Sequence, residues 1–253
     1  MRAQLDHLVI AAASLADGVA WCEATLGVTP GPGGSHPLMG THNRLLNIAT
    51  EAFPQAYLEI IAIEPGKQPS RAGTHRWFDL DDAVLQAALV RRGPRLIHFV
   101  ARVPNAHAAL QALARDERAH IDRGRLLEAS RDTSAGRLEW QITVRDDGQR
   151  LFYGALPTLI QWGPVHPTDA MPASGLSMRS LAATHPRAAD LAAALSTIGM
   201  TDMAVQPGAA ALDQRARHAI DHVRPRRERE QHGGKREPGD FGQGQHVGQS
   251  PSD

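Results

Sequence analysis

Two histidines lie inside apolar, strand-like segments, where a titratable ring is unusual. His7 stands within the stretch LDHLVIAA, and His98 stands within the similar stretch LIHFVARV. Glu59 in YLEII and Gln161 in LIQWG interrupt apolar runs in the same way. Burying such a group costs roughly 2–7 kcal/mol unless it is paired or holds a metal. Because two of these residues fall at equivalent places in each half of the chain, we expect the four polar groups to meet.

The elements that would position these residues occur twice in the same order. In the first unit, residues 4–11 are predicted to form a strand, and Ser14 with Asp17 forms a capping box that starts a helix. Segments 43–49 and 56–63 then have the length, β-branched content and flanking turn residues of strands. The first unit is therefore predicted to be a strand, a helix and two or three further strands.

The second unit follows a short connecting helix, which the acidic residues between 79 and 82 can cap. It is predicted to contain a strand at 95–103, a helix at 106–116, and strands at 137–144 and 155–163. This order repeats that of the first unit, so the chain is predicted to hold tandem modules of one kind.

A third copy begins but does not finish. The strand-like segment 176–184 is followed by a helix that Pro186 starts and Gly199 ends. The segment 213–253 has no leucine and fifteen charged residues, a composition typical of disordered chain. We expect a disordered tail, with loss of the native end of the module through a change of reading frame as the alternative. The predicted units are the first module with its connecting helix, the second module, a partial third module and the tail, at 1–93, 94–170, 171–212 and 213–253.

Length and composition are those of an ordinary soluble globular protein. The chain has 253 residues, of which 42% are hydrophobic and 21% are charged, and its formal net charge is zero. A neutral balance gives no overall attraction to nucleic acid. The N-terminal residues do not resemble a signal peptide, and no apolar run reaches about eighteen residues. We therefore expect a cytoplasmic protein that binds neither nucleic acid nor a membrane, with its single cysteine, Cys22, packed in a helix.

The phrases LDHLVIAA, GTHNRLL, YLEIIA and LPTLIQW together resemble the vicinal oxygen chelate (VOC) superfamily, in particular its glyoxalase-like, mostly uncharacterised bacterial branch. The likeness covers about residues 3–200. It implies an α+β fold in which tandem βαβββ modules form paired open mixed sheets, with a partial third module. It also implies that end-strand positions of the two modules surround one divalent metal ion.

The resemblance implies His7, Glu59, His98 and Gln161 as the metal ligands. Imidazole and carboxylate suit Fe, Mn, Ni, Co or Zn, and the glutamine oxygen can act as a neutral ligand. Family members take a catalytic base from the fourth position, and the amide of Gln161 cannot serve as one. Glu59 is the only remaining carboxylate of the set and is the expected catalytic residue. Either it alternates between ligand and base, or the protein does not isomerise hemithioacetals. The alternative is a metal-free fold in which His7 bonds Glu59.

The resemblance further implies a metal-dependent enzyme of the lyase, isomerase or dioxygenase type that acts on a small oxygenated molecule. The expected substrate-pocket residues are His42, Asn43 and Trp77, which fall in or near predicted loops. One alternative is non-catalytic binding, such as sequestration of a drug or metabolite in the same cleft. A second is a damaged, inactive paralogue. Homodimerisation through an exposed module edge is a further expectation.

Overall fold

A computed structural model describes residues 2–115, 121–133 and 136–218. Within this part of the chain the helices are α1 (Leu15–Leu26), α2 (Ala83–Arg92), α3 (Ala106–Ala114) and α4 (Ala188–Thr197). The strands up to the second predicted module are β1 (Gln4–Ala11), β2 (Ser35–His36), β3 (Thr41–Asn47) and β4 (Tyr57–Ile63). The strands of the second module are β5 (Arg95–Arg102), β6 (Arg125–Thr133), β7 (Gly136–Val144) and β8 (Thr158–Trp162). Three further strands are β9 (Leu176–His185), β10 (Met203–Pro207) and β11 (Ala211–His218).

Eight strands form one mixed sheet in the order β2-β3-β4-β1-β5-β8-β7-β6. Strand β1 runs parallel to β4, and β5 runs parallel to β8. The two halves join through the antiparallel pair of β1 and β5. Each half therefore repeats the same arrangement, and the predicted α+β fold of tandem modules with open mixed sheets is confirmed.

Helix α1 begins where the Ser14 cap predicts, and it ends at Leu26. The Ser14 hydroxyl accepts a hydrogen bond from the backbone N–H of Asp17 at 3.1 Å, and Gly27 adopts the left-handed conformation (φ 68°) that ends a helix. Gly18 of this helix lies against Ile60 of β4, where a Cβ atom would collide with the isoleucine side chain. The helix therefore packs closely on the back of the strand that carries Glu59.

Apolar side chains fill both faces of this sheet. On the face that carries α1 and α3, Leu8, Ile60 and Phe99 are fully buried. On the opposite, concave face, Val9 and Leu80 belong to a second apolar cluster. His7 in β1 and Glu59 in β4 lie beside this second cluster, so their surroundings are largely apolar.

The sheet curls until its two edges approach each other. A cavity of about 320 Å³ is lined on one side by residues between 35 and 39 and on the other by residues between 127 and 131. Strand β6, at one edge, was not predicted because its sequence RLLEASRDT has no apolar alternation and none of its residues is fully buried. It forms because it pairs with β7 along its whole length.

The segment after residue 175 forms a second, three-stranded sheet in the order β10-β9-β11. Helix α4 packs Leu191 and Leu195 into the core on the helix-bearing face of the large sheet. Strand β11 pairs antiparallel with β9 and extends to His218, past Leu212, where the predicted partial module ends. The third unit thus has a returning strand that the sequence did not indicate. The rest of the predicted tail lies outside the described residues.

No helix in the described ranges combines the length and the apolar character that a membrane span requires.

Candidate functional site

His7 of β1 and Glu59 of β4 meet on the concave face of the large sheet. His7 Nε2 lies 3.6 Å from Glu59 Oε2, and both side chains are almost fully buried. The Tyr57 ring stacks on the imidazole with ring centroids 4.6 Å apart. The two residues line a cavity of about 40 Å³. Two of the predicted ligands therefore form one buried pair.

Asp6 holds the other side of the His7 ring. Its Oδ1 lies 2.7 Å from His7 Nδ1, while its Oδ2 accepts from Trp162 Nε1 at 2.9 Å and lies 3.1 Å from His166 Nε2. Burial alone would raise the pKa of Asp6, but hydrogen bonds from His166 and His7 outweigh it and hold that pKa well below its ordinary range. The ionised carboxylate only accepts, so His7 donates to it from Nδ1, and the other ring nitrogen, Nε2, faces Glu59.

A β-bulge explains how adjacent side chains reach one another here. The pairing of β1 with β5 shifts register between Leu5 and His7. Such a bulge turns a side chain that would otherwise point to the opposite face. Asp6 and His7 can therefore act together, although they are neighbours on a strand.

Asn43 and His36 complete the surroundings of Glu59. Asn43 Nδ2 donates to Glu59 Oε1 at 2.6 Å and lies 3.2 Å from His36 Nε2. Asn43 Oδ1 accepts from the backbone N–H of Gly34, which fixes the orientation of the amide. Burial lowers the pKa of His36 to about 4, a shift that Glu59 opposes and the charge of Arg131 increases. His36 is therefore a neutral ring at pH 7.

The strand register shows which residues of the second half correspond to this pair. In the first half, the residue two places after His7 pairs with Glu59. In the second half, the residue two places after His98 pairs with Thr158. Thr158 therefore holds the place that was predicted for Gln161.

Both ring nitrogens of His98 are engaged within the fold. Nδ1 lies 2.9 Å from the carbonyl oxygen of Gly154, and Nε2 accepts from the backbone N–H of Thr158 at 3.1 Å. Burial first, and then the charge of Arg123, hold the pKa of His98 well below its ordinary value. His98 faces the same side of the sheet as His7, but its ring contacts its own module's last strand.

Gln161 lies on the other face of β8. Side chains alternate along the strand, so Gln161 faces the helices while its neighbour Trp162 lines the concave cavity. Gln161 Oε1 accepts from the backbone N–H of Ala106 at 2.9 Å. It thereby satisfies one of the free donors in the first turn of α3. The structure brings only the first-module half of the predicted ligand set to one point.

The residues present do not fit the four-ligand metal centre that the resemblance implies. The 3.6 Å separation between His7 Nε2 and Glu59 Oε2 would let one ion contact both atoms. His36 could offer a third metal ligand near this pair. However, the amide of Asn43 lies between His36 and Glu59 and donates a hydrogen bond to Glu59. Within the described ranges, no group of three or more His, Cys, Asp or Glu side chains is placed to hold a metal. Catalytic zinc sites use about three protein ligands.

The predicted pocket residues divide between the two faces of the sheet. Asn43 and Trp77 line the small cavity, whereas alternation along β3 turns His42 to the opposite face. His36 was not predicted as a site residue, because it follows a loop rich in glycine and proline and carries no periodic signal. Asp6 was not predicted either, although an acid directly before a strand histidine is a signal that could have indicated the pair.

Comparisons with known proteins agree with this architecture. Residues 5–199 match a family described as "Glyoxalase-like domain". Among curated proteins, no relative matches the chain. A hypothetical protein from Staphylococcus aureus has a similar structure, with a TM-score of 0.54, 13% identity, and coverage of 83% of this chain and 88% of that chain.

Methylmalonyl-CoA epimerases are also among the similar structures. The enzyme from Mycobacterium tuberculosis has a TM-score of 0.36 and 20% identity over 66% of this chain and 91% of that chain. The enzyme from Streptomyces coelicolor has a TM-score of 0.37 and 19% identity over 66% of this chain and 99% of that chain. At these identities and scores, neither enzyme bears on the activity of this chain.

Proposed function

The chain belongs to the glyoxalase-like domain family of the VOC superfamily, and from that premise we propose that it is an enzyme. Its reaction moves a proton at a carbon next to a carbonyl group in a small oxygenated molecule. The observation that supports this most strongly is the His7–Glu59 pair. Two groups that can each hold a proton lie 3.6 Å apart at one buried cavity.

Glu59 is the proposed base. Asn43 donates to Oε1, which leaves Oε2 facing the cavity to take a proton from carbon. The electron pair of the broken C–H bond forms a C=C double bond as the π electrons of the carbonyl group move to its oxygen, which gives an enolate. The proton then returns to the same carbon or to the neighbouring one. His7, oriented by Asp6, lies beside Glu59 and exchanges protons with it.

The walls of the cavity favour this chemistry. Aromatic rings surround the pair and limit the access of water: Trp77, Phe78, Trp140 and Trp162. Electrostatic interactions are stronger in such a site than in bulk water. The volume of about 40 Å³ beside Glu59 has room for the reacting end of a substrate only. The remainder would occupy the adjoining cavity of about 320 Å³.

Hydrogen–deuterium exchange at carbon tests the proposal. Wild-type protein is incubated in D2O with a panel of 2-hydroxyketones and 2-oxo acids, and loss of the C–H signal is followed by proton NMR. We expect Glu59→Gln to slow exchange by about 10²–10⁴-fold, the usual contribution of a general base. Glu51→Gln, at an exposed position, is the matched control and should leave the rate unchanged.

Two outcomes would count against this assignment. Equal exchange rates in the wild type and in Glu59→Gln would remove Glu59 as the base. Tight binding of panel members without any exchange would favour the non-catalytic binding alternative.

A metal-dependent form of the reaction is the second candidate, and one observation favours it. His7 Nε2 and Glu59 Oε2 lie 3.6 Å apart, so one divalent Fe, Mn, Ni, Co or Zn ion would contact both atoms. When bound, such an ion supplies Lewis-acid polarisation of a carbonyl. Elemental analysis separates the two forms. Stoichiometric metal that is lost in His7→Ala but kept in His98→Ala supports the metal-dependent form. Metal-free protein that retains deuterium exchange supports the form in which the chain's own residues act without a metal.

Location and assembly stay proposals as well. We propose a cytoplasmic protein whose partner is its small-molecule substrate. Homodimerisation through a sheet edge is the proposed assembly, because β10 and β11 are both edge strands of the smaller sheet. Light scattering coupled to size-exclusion chromatography gives the mass in solution, and a monomer at all concentrations would contradict the dimer.

A further inference from the structure

Arg131 of β6 reaches across the opening of the site. A Cβ atom on Gly34 would collide with Arg131 Nη1, so the guanidinium lies against the loop at the opposite edge of the sheet. Arg131 lines the 40 Å³ cavity together with His7 and Glu59, and it also lines the adjoining 320 Å³ cavity. It is therefore a cation at the junction of the two spaces.

Two buried hydrogen-bond donors at this junction lack a partner within the described ranges. They are Arg131 Nη1 and Trp77 Nε1. Trp77 is only 8% exposed and lines the same two cavities as Arg131. By contrast, the buried Arg76 is paired with Asp81 at 2.5 Å. Buried donors are rarely left without an acceptor, so two of them at one junction mark a place for an acceptor from outside the chain.

The charge of Arg131 acts inside the site. Burial is the main cause of the lowered pKa of His36, and the charge of Arg131 adds to this shift, which Glu59 opposes. Asp6, the other buried carboxylate nearby, already contacts His7 and His166. A ligand that brings its own negative charge would therefore find the guanidinium available.

We propose that the substrate is a small carboxylic acid whose carboxylate is held by Arg131 and Trp77. This inference rests on the proposed function, because it names the substrate class of the same site. A guanidinium matches a carboxylate in both charge and planar geometry, and the indole N–H can donate to a carboxylate oxygen.

The larger cavity suits an apolar body attached to that carboxylate. Its walls are mainly apolar and include Met39, Leu127, Trp140 and Ile142. Its volume of about 320 Å³ is at the lower end of the usual range for small-ligand sites, about 300–1,000 Å³. With the carboxylate at the junction, the body fills this space, and a carbon that carries a C–H bond next to a carbonyl group faces Glu59.

Pairs of acids and their amides test the proposal, because each pair has nearly the same shape and differs in charge. Phenylacetate, 3-phenylpropanoate and hexanoate are compared with their amides by isothermal titration calorimetry on the full chain. We expect at least one acid to bind about tenfold or more tightly than its amide. Arg131→Gln should weaken binding of that acid by about 10- to 100-fold, the usual effect of losing a charged hydrogen bond, with little change for the amide.

Matched variants keep the result interpretable. Trp77→Phe keeps an aromatic ring and removes the donor, and it should weaken acid binding by about two- to tenfold. Arg131→Lys keeps the charge and should lie between the wild type and Arg131→Gln, which a general folding defect would not produce. Arg137→Gln, an exposed position on the neighbouring strand β7, should leave every affinity unchanged.

Each result bears on the proposal. If no acid binds more tightly than its amide, or if Arg131→Gln leaves acid binding unchanged, the carboxylate position is refuted. Glu59→Gln removes the base but leaves Arg131 and Trp77 in place, so it should keep acid binding and lose deuterium exchange. Acid preference without exchange in the wild type supports the carboxylate position and refutes the proposed enzyme. Deuterium exchange without a preference for the acids supports the proposed enzyme and refutes the carboxylate position.

Discussion

The substitution Asp6→Asn keeps the shape of a buried side chain and removes its charge. The carboxylate contacts ring nitrogens of His7, Trp162 and His166 at 2.7, 2.9 and 3.1 Å. An amide accepts at one end and donates at the other. If its oxygen stays with Trp162 and His166, its NH2 group faces His7 Nδ1. The ring proton must then move to Nε2, toward Glu59.

The expected loss of stability follows from these contacts. A hydrogen bond to a charged group contributes about 1.5–3 kcal/mol, and removing one member of a buried charged pair typically costs about 3–5 kcal/mol. Because all three bonds of Asp6 lose their charge while two keep an acceptor, we expect the free energy of unfolding at pH 7 to fall by about 3 kcal/mol. Urea denaturation measures this difference, and the exposed Asp202→Asn is the control.

The pH dependence has a definite sign. The folded pKa of Asp6 lies below the unfolded value of about 3.9. Its stabilisation is therefore fully present above pH ~4 and is lost as the pH falls through the folded pKa. The difference between wild type and Asp6→Asn should shrink in acid.

The same variant tests the orientation of the catalytic pair. With the proton on His7 Nε2, Oε2 of Glu59 accepts a hydrogen bond from the ring and is a weaker base. We expect deuterium exchange to fall by about 10- to 100-fold, the effect of one hydrogen bond to a charged group, and nitrogen NMR should report the change of tautomer. A stability change below about 0.5 kcal/mol, with the proton still on Nδ1, would refute the reasoning.

Other predictions concern the residues around this pair. Gln161→Leu removes an acceptor for the first turn of α3 and should lower the free energy of unfolding by about 1 kcal/mol without changing deuterium exchange; loss of exchange would return Gln161 to the site. The folded pKa values of His36 and His98 lie below the unfolded value of about 6.5. The unfolded chain therefore binds protons first as the pH falls, and the free energy of unfolding should decrease between about pH 6.5 and about pH 4. His36→Gln should flatten the dependence of the urea midpoint on pH over this range, and an unchanged slope would contradict the assignment.

Much of the fold was predictable because its signals are local. The helix cap at Ser14 and the apolar strands around His7 and His98 act through neighbouring residues, and the repeated order of elements indicated tandem modules. Strand β6 carries no such signal, since an edge strand with half-buried side chains depends on pairing with β7. The carboxylate-binding residue Arg131 lies on that strand, so the proposed ligand position could not be derived from the sequence.

In the candidate site, too, the locally determined features were predictable and the long-range contacts were not. Alternation along the strands turns His7, His98 and Glu59 inward. The sequence by itself determined this orientation, because the side-chain period of a strand is a local property. Which partner each histidine contacts was decided only by the tertiary structure. Strand register places Glu59 beside His7 and Thr158 beside His98, and a β-bulge brings Asp6 to the His7 ring. Both depend on how segments far apart in the chain align in the sheet.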